Sequence, residues 1–180
     1  MTRYGMLIDT TNCIGCFACR TACQRQNGLL PDEAFIRFEE REQGTYPAVS
    51  VEHLPLQCMH CEDAPCVSVC PTGASHIGPD GIVTVDHGKC IGCLYCVAAC
   101  PYQVRVRNSQ TGGVDKCRFC NVSNYENGTK MSTCVTACPT GVRIFGDLDD
   151  PDCELVKEIN RTHAEPIAGD VTKSKVYYVR

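Results

Sequence analysis

Cysteine is the residue of this chain whose number and spacing imply chemistry. Seventeen cysteines occur among 180 residues, a proportion that is otherwise typical of short, disulfide-linked secreted domains. Thiol groups at this density serve disulfide bonds, zinc sites or iron–sulfur clusters. The spacing of the cysteines distinguishes between these three uses.

Sixteen of the cysteines form four motifs of four. Motifs one and three have the spacing C-x2-C-x2-C-x3-C, motif two has a longer middle gap, and motif four has thirteen residues between its CxxC and CxxxC parts. In chain order the motifs are Cys13, Cys16, Cys19, Cys23; Cys58, Cys61, Cys66, Cys70; Cys90, Cys93, Cys96, Cys100; and Cys117, Cys120, Cys134, Cys138. A proline follows the last cysteine of motifs two, three and four.

The spacing of motif three, with its proline, is that of bacterial ferredoxins. Three cysteines spaced by two residues can surround three corners of a cubane cluster, whereas the fourth lies about one helical turn further on and points elsewhere. We therefore expect the fourth cysteine to bind the other cluster of a pair. Spacing alone does not say which motifs are paired.

Zinc and disulfides are the alternatives to iron. A zinc site is built from two cysteine pairs and gains nothing from a third cysteine two residues later. A disulfide framework needs an oxidising compartment, and residues 1–8 show neither a signal-peptide core nor a twin-arginine pair. We expect the chain to have no export signal of its own; a zinc-linked scaffold stays a rival that a brown colour would exclude.

Short strands and helices must position these motifs. An apolar residue followed by aspartate precedes three of them, at Ile8-Asp9, Val85-Asp86 and Val114-Asp115. Residues 81–86 alternate as a strand does, and residues 142–145 resemble another. Each unit then consists of a strand, a cysteine loop and a short helix, and Cys-Pro-Thr-Gly occurs twice, which indicates duplication. The predicted class is α+β, with two fused ferredoxin-like units.

Composition narrows the functional classes. The formal charge of −4 and the absence of tryptophan argue against nucleic-acid binding. No stretch approaches the roughly 20 apolar residues that span a membrane. Because aromatic residues make up only 7% of the chain, we expect a thin apolar core that bound metal must stabilise.

At this point the sequence resembles a known family, the four-cluster electron-transfer subunits of the DMSO reductase superfamily, especially those of polysulfide and thiosulfate reductases. The resemblance covers essentially the whole chain. It is carried by Arg3-Tyr4-Gly5-Met6-Leu7-Ile8-Asp9 leading into Cys13-Ile14-Gly15-Cys16, by Gln57-Cys58-Met59-His60-Cys61-Glu62, by Ala64-Pro65-Cys66, by both Cys-Pro-Thr-Gly segments and by Lys175-Val176-Tyr177-Tyr178-Val179.

The resemblance implies four [4Fe–4S] clusters, with motif one paired to motif four and motif two to motif three. The implied ligands are Cys13, Cys16, Cys19 and Cys138 for cluster one; Cys23, Cys117, Cys120 and Cys134 for cluster two; Cys58, Cys61, Cys66 and Cys100 for cluster three; and Cys70, Cys90, Cys93 and Cys96 for cluster four. The corresponding units would be residues 1–57 with 101–150, residues 58–100, and a C-terminal helix and extended tail at 151–180. Full ligation leaves no iron open to a substrate.

The resemblance also implies a role. The chain would be a non-catalytic subunit in anaerobic respiration that relays electrons between a molybdopterin-containing catalytic subunit and an integral membrane subunit that reacts with quinone. It would reach the outer, periplasmic face of the membrane by export together with a twin-arginine partner, the cytoplasmic side being the alternative. A free cytoplasmic polyferredoxin that serves several oxidoreductases is the second hypothesis.

Some residues stay open to two interpretations. Cys153 lies outside every motif and is interpreted as a structural or surface thiol, on a helix that Asp150 caps and Pro151 begins. His60 is expected to contact solvent or a partner. Four cations near cysteines either raise cluster potentials or are ordinary surface charge: Lys89, Lys116, Arg118 and Arg143. Residues 27–52 and the loop 121–133 are candidate docking surfaces or plain loops. The tail 176–179 has the composition of a strand but no obvious partner within the chain, and it either packs on the body or lies across a neighbouring subunit.

Overall fold

The computed structural model describes residues 3–120 and 131–180 and confirms the α+β class. The strands are β1 (Tyr4–Asp9), β2 (Arg37–Thr45), β3 (Ala48–Leu56), β4 (Ser75–Ile77), β5 (Val83–Val85), β6 (Val106–Arg107), β7 (Val114–Asp115), β8 (Arg143–Asp147), β9 (Glu165–Pro166) and β10 (Val176–Val179). The helices are α1 (Ala18–Asn27), α2 (Pro65–Ser68), α3 (Tyr95–Ala98), α4 (Thr133–Thr136), α5 (Glu154–Thr162) and α6 (Gly169–Thr172). The expectation for residues 121–130 lies outside the described residues.

A four-stranded sheet joins the two ends of the chain. Its strand order is β8-β1-β10-β9, with β10 parallel and β8 antiparallel to β1. The tail at 176–179 is therefore an interior strand, with Val176 and Tyr178 buried. Of the two interpretations left open for this tail, packing on the body of the chain is therefore confirmed. Its partner strand lies near the N-terminus, and no local pattern shows that pairing.

Three two-stranded hairpins complete the strands: β2–β3, β4–β5 and β6–β7. The longest, β2–β3, occupies much of the region 27–52, for which the sequence predicted no structure. Its base carries the buried Leu54 and Leu56, whereas Tyr46 and Val49 at the tip are exposed. The predicted strand at 81–86 is present as the shorter β5, and that at 142–145 as β8.

The prolines decide how far each cysteine helix runs. In motifs two, three and four a four-residue helix (α2, α3, α4) holds the third cysteine, and Cys-Pro follows after one further residue. In motif one Gln24 follows Cys23, and α1 continues to Asn27 before Gly28 ends it with a φ of 61°. A proline lacks the amide hydrogen that a helix needs, so its absence lets α1 extend by another turn.

Helix α5 begins at Glu154, later than predicted, so the expectation that Asp150 caps it and Pro151 opens it is wrong. The Asp150 carboxylate instead accepts a hydrogen bond from the Asp152 amide at 2.9 Å and closes a turn before the helix. Leu155 on α5 is fully buried against β1 and β8. Cys153 packs beside that contact, as a structural thiol would.

Cysteine itself supplies much of the apolar core. Eight of the motif cysteines are among the buried core residues: Cys19, Cys23, Cys58, Cys61, Cys66, Cys96, Cys117 and Cys134. Within residues 3–120 and 131–180, no helix is long and apolar enough to cross a membrane.

Candidate iron–sulfur sites

Helix packing brings the four cysteine motifs together in two pairs. Helix α1 of motif one packs against α4 of motif four, and α2 of motif two packs against α3 of motif three. The fourth cysteine lies just beyond the end of α2, α3 and α4, and within α1 in motif one, so packing carries it towards the loop of the paired motif.

Two cavities show the consequence for motifs two and three. One cavity is lined by Cys58, Cys61, Cys66 and Cys100, the other by Cys70, Cys90, Cys93 and Cys96. In each case three cysteines come from one motif and one from the other. These are the groupings that the resemblance implies for clusters three and four.

Cysteines of motif one likewise lie next to cysteines of motif four. Burial raises the pKa of the Cys23 thiol to about 12, and the nearby thiolates of Cys134 and Cys120 add to that effect. Burial also raises the pKa of Cys19, whose cysteine neighbours include Cys13 and Cys138. A thiolate is costly here without a positive partner, so iron binding would have to release the thiol protons.

We number four cysteine groups after the ligand sets implied for clusters one to four. These groups form a row. Cys19 and Cys23 lie one turn apart on α1 and connect groups one and two. Cys117 of group two lies close enough to Cys58 of group three for their charges to interact. The Arg105 guanidinium hydrogen-bonds to Cys66 of group three at 2.9 Å and also to Cys96 of group four. The order along the row is therefore one, two, three, four.

All four CxxC loops share one backbone feature. The residue just before the second cysteine has a positive φ in each of them: Gly15 (62°), His60 (47°), Gly92 (67°) and Phe119 (56°). This is the left-handed region that glycine occupies without strain. Glycine serves at the two ends of the row, whereas His60 and Phe119 hold the same conformation in its middle.

His60 and Phe119 stack on each other, with 3.9 Å between ring centroids. Both are buried, so the expectation that His60 contacts solvent or a partner is wrong. Burial, together with the charges of Lys116, Lys175 and Arg105, lowers the pKa of His60 well below its ordinary value, and the ring is neutral. The stack lies between groups two and three.

The loops at the ends of the row are exposed. Cys16 and Cys93 are solvent-exposed, and the isoleucines beside them, Ile14 and Ile91, are 62% and 68% exposed. We call residues 13–16 and 90–93 the end loops, and residues 58–61 and 117–120 the middle loops. Both end loops read Cys-Ile-Gly-Cys.

The four cations that the sequence places near cysteines differ in burial: two are buried and two are exposed. Lys116 and Arg143 are buried, whereas Lys89 and Arg118 are exposed, and Lys89 pairs with Asp86 at 3.5 Å. Arg105, which is also buried, was missed by the sequence interpretation. A repeat could have identified it, because Cys-Pro-x-x-Val-Arg occurs at residues 100–105 and again at 138–143.

The guanidinium groups of Arg105 and Arg143 test whether an iron–sulfur cluster fits. Within the part of the chain that the structure describes, Nη1 of Arg105 and Nη2 of Arg143 are buried without a hydrogen-bond partner. A buried donor left unpaired costs about 1–3 kcal/mol. The sulfide and thiolate sulfurs of a cluster carry negative charge and accept hydrogen bonds. The positive donors and the four-cysteine groups therefore fit iron–sulfur clusters.

Comparison with known proteins agrees. Two overlapping regions, residues 49–148 and 12–74, match family models that are both described as a 4Fe-4S dicluster domain. Protein NrfC of Escherichia coli is 43% identical over 98% of this sequence and 80% of its own length. One of the polysulfide reductase chains of Wolinella succinogenes is 41% identical over 98% of this sequence and 94% of its own. The thiosulfate reductase electron transfer subunit PhsB of Salmonella typhi is 46% identical over 84% of this sequence and 80% of its own.

Two dicluster regions and seventeen cysteines mean that this protein binds four [4Fe–4S] clusters. Such clusters exchange single electrons, and the protein sets their potential by charge, hydrogen bonds and exposure. Matches of this extent establish the relationship. The chain belongs to the iron–sulfur electron-transfer subunits of the DMSO reductase superfamily.

Proposed function

We propose that electrons cross this chain along the row of clusters one to four, entering at one end loop and leaving at the other. The observation that carries the proposal is the exposure of Cys16 and Cys93 at the two ends of a row whose middle is buried. Electron transfer between proteins requires a cluster close to the surface that a partner covers, and each end loop offers one.

The ligand sets are part of this proposal. Clusters one and two take their cysteines from motifs one and four, and clusters three and four from motifs two and three, with the fourth cysteine of each motif exchanged. The two cysteine-lined cavities and the packing of α1 on α4 and of α2 on α3 support this assignment. The units would then be residues 1–57 with 101–150, residues 58–100, and the C-terminal segment 151–180.

A single substitution tests the exchange. Cys100→Ser should disturb the cluster that Cys58, Cys61 and Cys66 hold, and should leave unchanged the cluster bound by its sequence neighbours Cys90, Cys93 and Cys96. Electron paramagnetic resonance of the reduced variant, set beside Cys58→Ser and Cys90→Ser, separates the two outcomes. Spectra that match Cys90→Ser rather than Cys58→Ser would contradict the pairing.

The partners proposed for the two ends are a molybdopterin-containing catalytic subunit and an integral membrane subunit that reacts with quinone. The relatives support a place in an oxidoreductase complex over a free polyferredoxin, since two of them are named as a reductase chain and a reductase electron transfer subunit. The protein would then be bound to the membrane through its partner. The periplasmic side, reached by export with a twin-arginine partner, is the side we propose, and cell fractionation with that partner's signal removed tests it.

Charge placed on each end loop tests the division between partners. Ile14→Arg should abolish association with one partner and Ile91→Arg with the other, while the iron content of the chain stays the same. Val171→Arg is the matched control, because Val171 is as exposed (74%) and belongs to α6 rather than to either loop. Purification of the complex with each variant shows which subunit is lost. Loss of the same partner in both variants, or of neither, would contradict the proposal.

A further inference from the structure

Arg143 lies between clusters one and two. It is the first residue of β8, is buried, and donates a hydrogen bond from Nη1 to the side-chain oxygen of Gln57 at 2.7 Å. The same nitrogen lies 3.9 Å from Sγ of Cys134, a proposed ligand of cluster two. Burial alone would lower the pKa of Arg143, but the thiolates of Cys134 and Cys19 outweigh it and raise the pKa. Cys19 is a proposed ligand of cluster one.

Lys116 lies between clusters two and three. It is 1% exposed, and its Nζ donates hydrogen bonds to the carbonyl oxygens of Val83 and Cys117. Burial lowers its pKa, and the thiolates that oppose this effect most are those of Cys58 and Cys117. Cys58 belongs to cluster three and Cys117 to cluster two, so the ammonium group faces both.

Arg105 lies between clusters three and four. Its Nη2 donates to Sγ of Cys66 at 2.9 Å and to Oγ of Ser75 at 2.8 Å. Its side chain also hydrogen-bonds to Cys96. Cys66 belongs to cluster three and Cys96 to cluster four. Each of the three junctions in the row therefore contains at least one buried cation.

The two arginines occupy equivalent places. Each ends a Cys-Pro-x-x-Val-Arg segment that follows a fourth cysteine, and the second x residue has a positive φ in both, at Gln103 (53°) and Gly141 (66°). The shared backbone delivers each guanidinium to the junction beside its own cysteine helix. Arg105 Nη1 and Arg143 Nη2 have no acceptor among the described residues and are available to cluster sulfur.

We propose that Arg143, Lys116 and Arg105 each raise the reduction potentials of the two clusters between which they lie. One-electron reduction adds one negative charge to a cluster without gain or loss of atoms. A nearby cation stabilises that added charge, and more strongly where burial lowers the effective dielectric constant. Of these three cations, clusters two and three, which solvent stabilises least, face two each, and the end clusters face one each. The inference rests on the proposed ligand sets.

Potentiometric titration of the anaerobically prepared full chain, followed by electron paramagnetic resonance, tests the proposal. Three variants remove one charge each: Arg143→Gln, Lys116→Met and Arg105→Gln. Each should lower two of the four midpoint potentials, with at least a tenfold smaller equilibrium constant for reduction, about 59 mV for a one-electron couple. The affected pairs should overlap in order, so two potentials respond to two variants and two respond to one.

Three controls separate charge from structure. Lys89→Met removes a lysine that also precedes the first cysteine of a motif, but one that is exposed and paired with Asp86. It should leave all four potentials close to those of the parent chain. Arg143→Lys and Arg105→Lys keep the charge and should shift the potentials much less than the glutamine variants do.

The overturning results are specific. The proposal is contradicted if a charge-removing variant retains all its iron and shifts only one potential, shifts all four equally or shifts none. It is also contradicted if a lysine variant shifts the potentials as much as the glutamine variant does. If one variant loses a cluster, each of the other two still has to shift its own two potentials, and these two pairs share one cluster wherever Lys116→Met is one of the variants. Iron content and the Cys100→Ser spectra test the ligand sets without any potential, so failure of those sets is seen separately.

Discussion

The end loops and the middle loops of this chain have the same backbone and opposite surroundings. The end loops carry glycine at the left-handed position and expose an isoleucine to solvent, whereas the middle loops carry His60 and Phe119 there and bury both. An L-residue in the left-handed region costs about 1–2 kcal/mol. Stacking of the two rings in the buried centre offsets that cost. One cluster-binding loop can therefore serve either as a surface contact or as part of the core.

Substitution of the cysteine ligands themselves should have the largest effect on folding and iron content, and this effect should differ between middle and end loops. Cys117→Ser, in a middle loop, should prevent the chain from folding, because Cys117 is buried in the core and we expect bound metal to stabilise that core. Cys93→Ser, in an exposed end loop, should cost at most one cluster, about four of sixteen irons. Iron and sulfide analysis with circular dichroism measures both. Equal iron losses in two folded variants would remove the distinction between middle and end.

A second effect concerns the side chains at the loops. Phe119→Ala should lower the free energy of unfolding by about 3–5 kcal/mol, since it removes a buried ring that contacts His60 and Phe145. Ile91→Ala, at an exposed end-loop position, should change it by less than about 0.5 kcal/mol. Denaturant-induced loss of visible absorbance under anaerobic conditions compares them. A large effect of the isoleucine substitution would show that the end loops are covered within the chain itself.

Glycine in the end loops should be needed both because of its positive φ and because a side chain there would contact the backbone. A Cβ on Gly92 would lie 2.5 Å from the carbonyl oxygen of Gly112, whereas one on Gly73, with nearly the same φ, would meet nothing within 4 Å. Both alanine substitutions should cost about 1–2 kcal/mol from backbone strain, and Gly92→Ala should cost more because the loop must move. The rate at which a chelator bleaches each variant measures the difference. Equal rates would show that the loop yields freely.

The smallest effect is expected outside all four motifs. Cys153→Ser should leave the iron content unchanged and lower the free energy of unfolding by less than about 1 kcal/mol, because the thiol only packs beside Leu155. Iron analysis and the same denaturant titration check this. Loss of about four irons would mean that one motif cysteine is not a ligand.

Much of the site follows from the sequence alone. The spacing of sixteen cysteines identified the cofactor and predicted that fourth cysteines serve a neighbouring cluster. Prolines follow Cys70, Cys100 and Cys138, and the short helix before each of them ends two residues ahead of that cysteine. These features are local, because loop geometry and helix termination depend on residues a few positions apart.

Other features were decided by the tertiary structure. The pairing of β10 with β1 joins residues near opposite ends of the chain, and no local pattern encodes it. The burial of His60 depends on which hairpins and helices cover it, so neither its residue type nor its sequence neighbours showed it. Spacing determines what each loop can bind, whereas long-range packing determines which loops face solvent and which charges become buried between clusters.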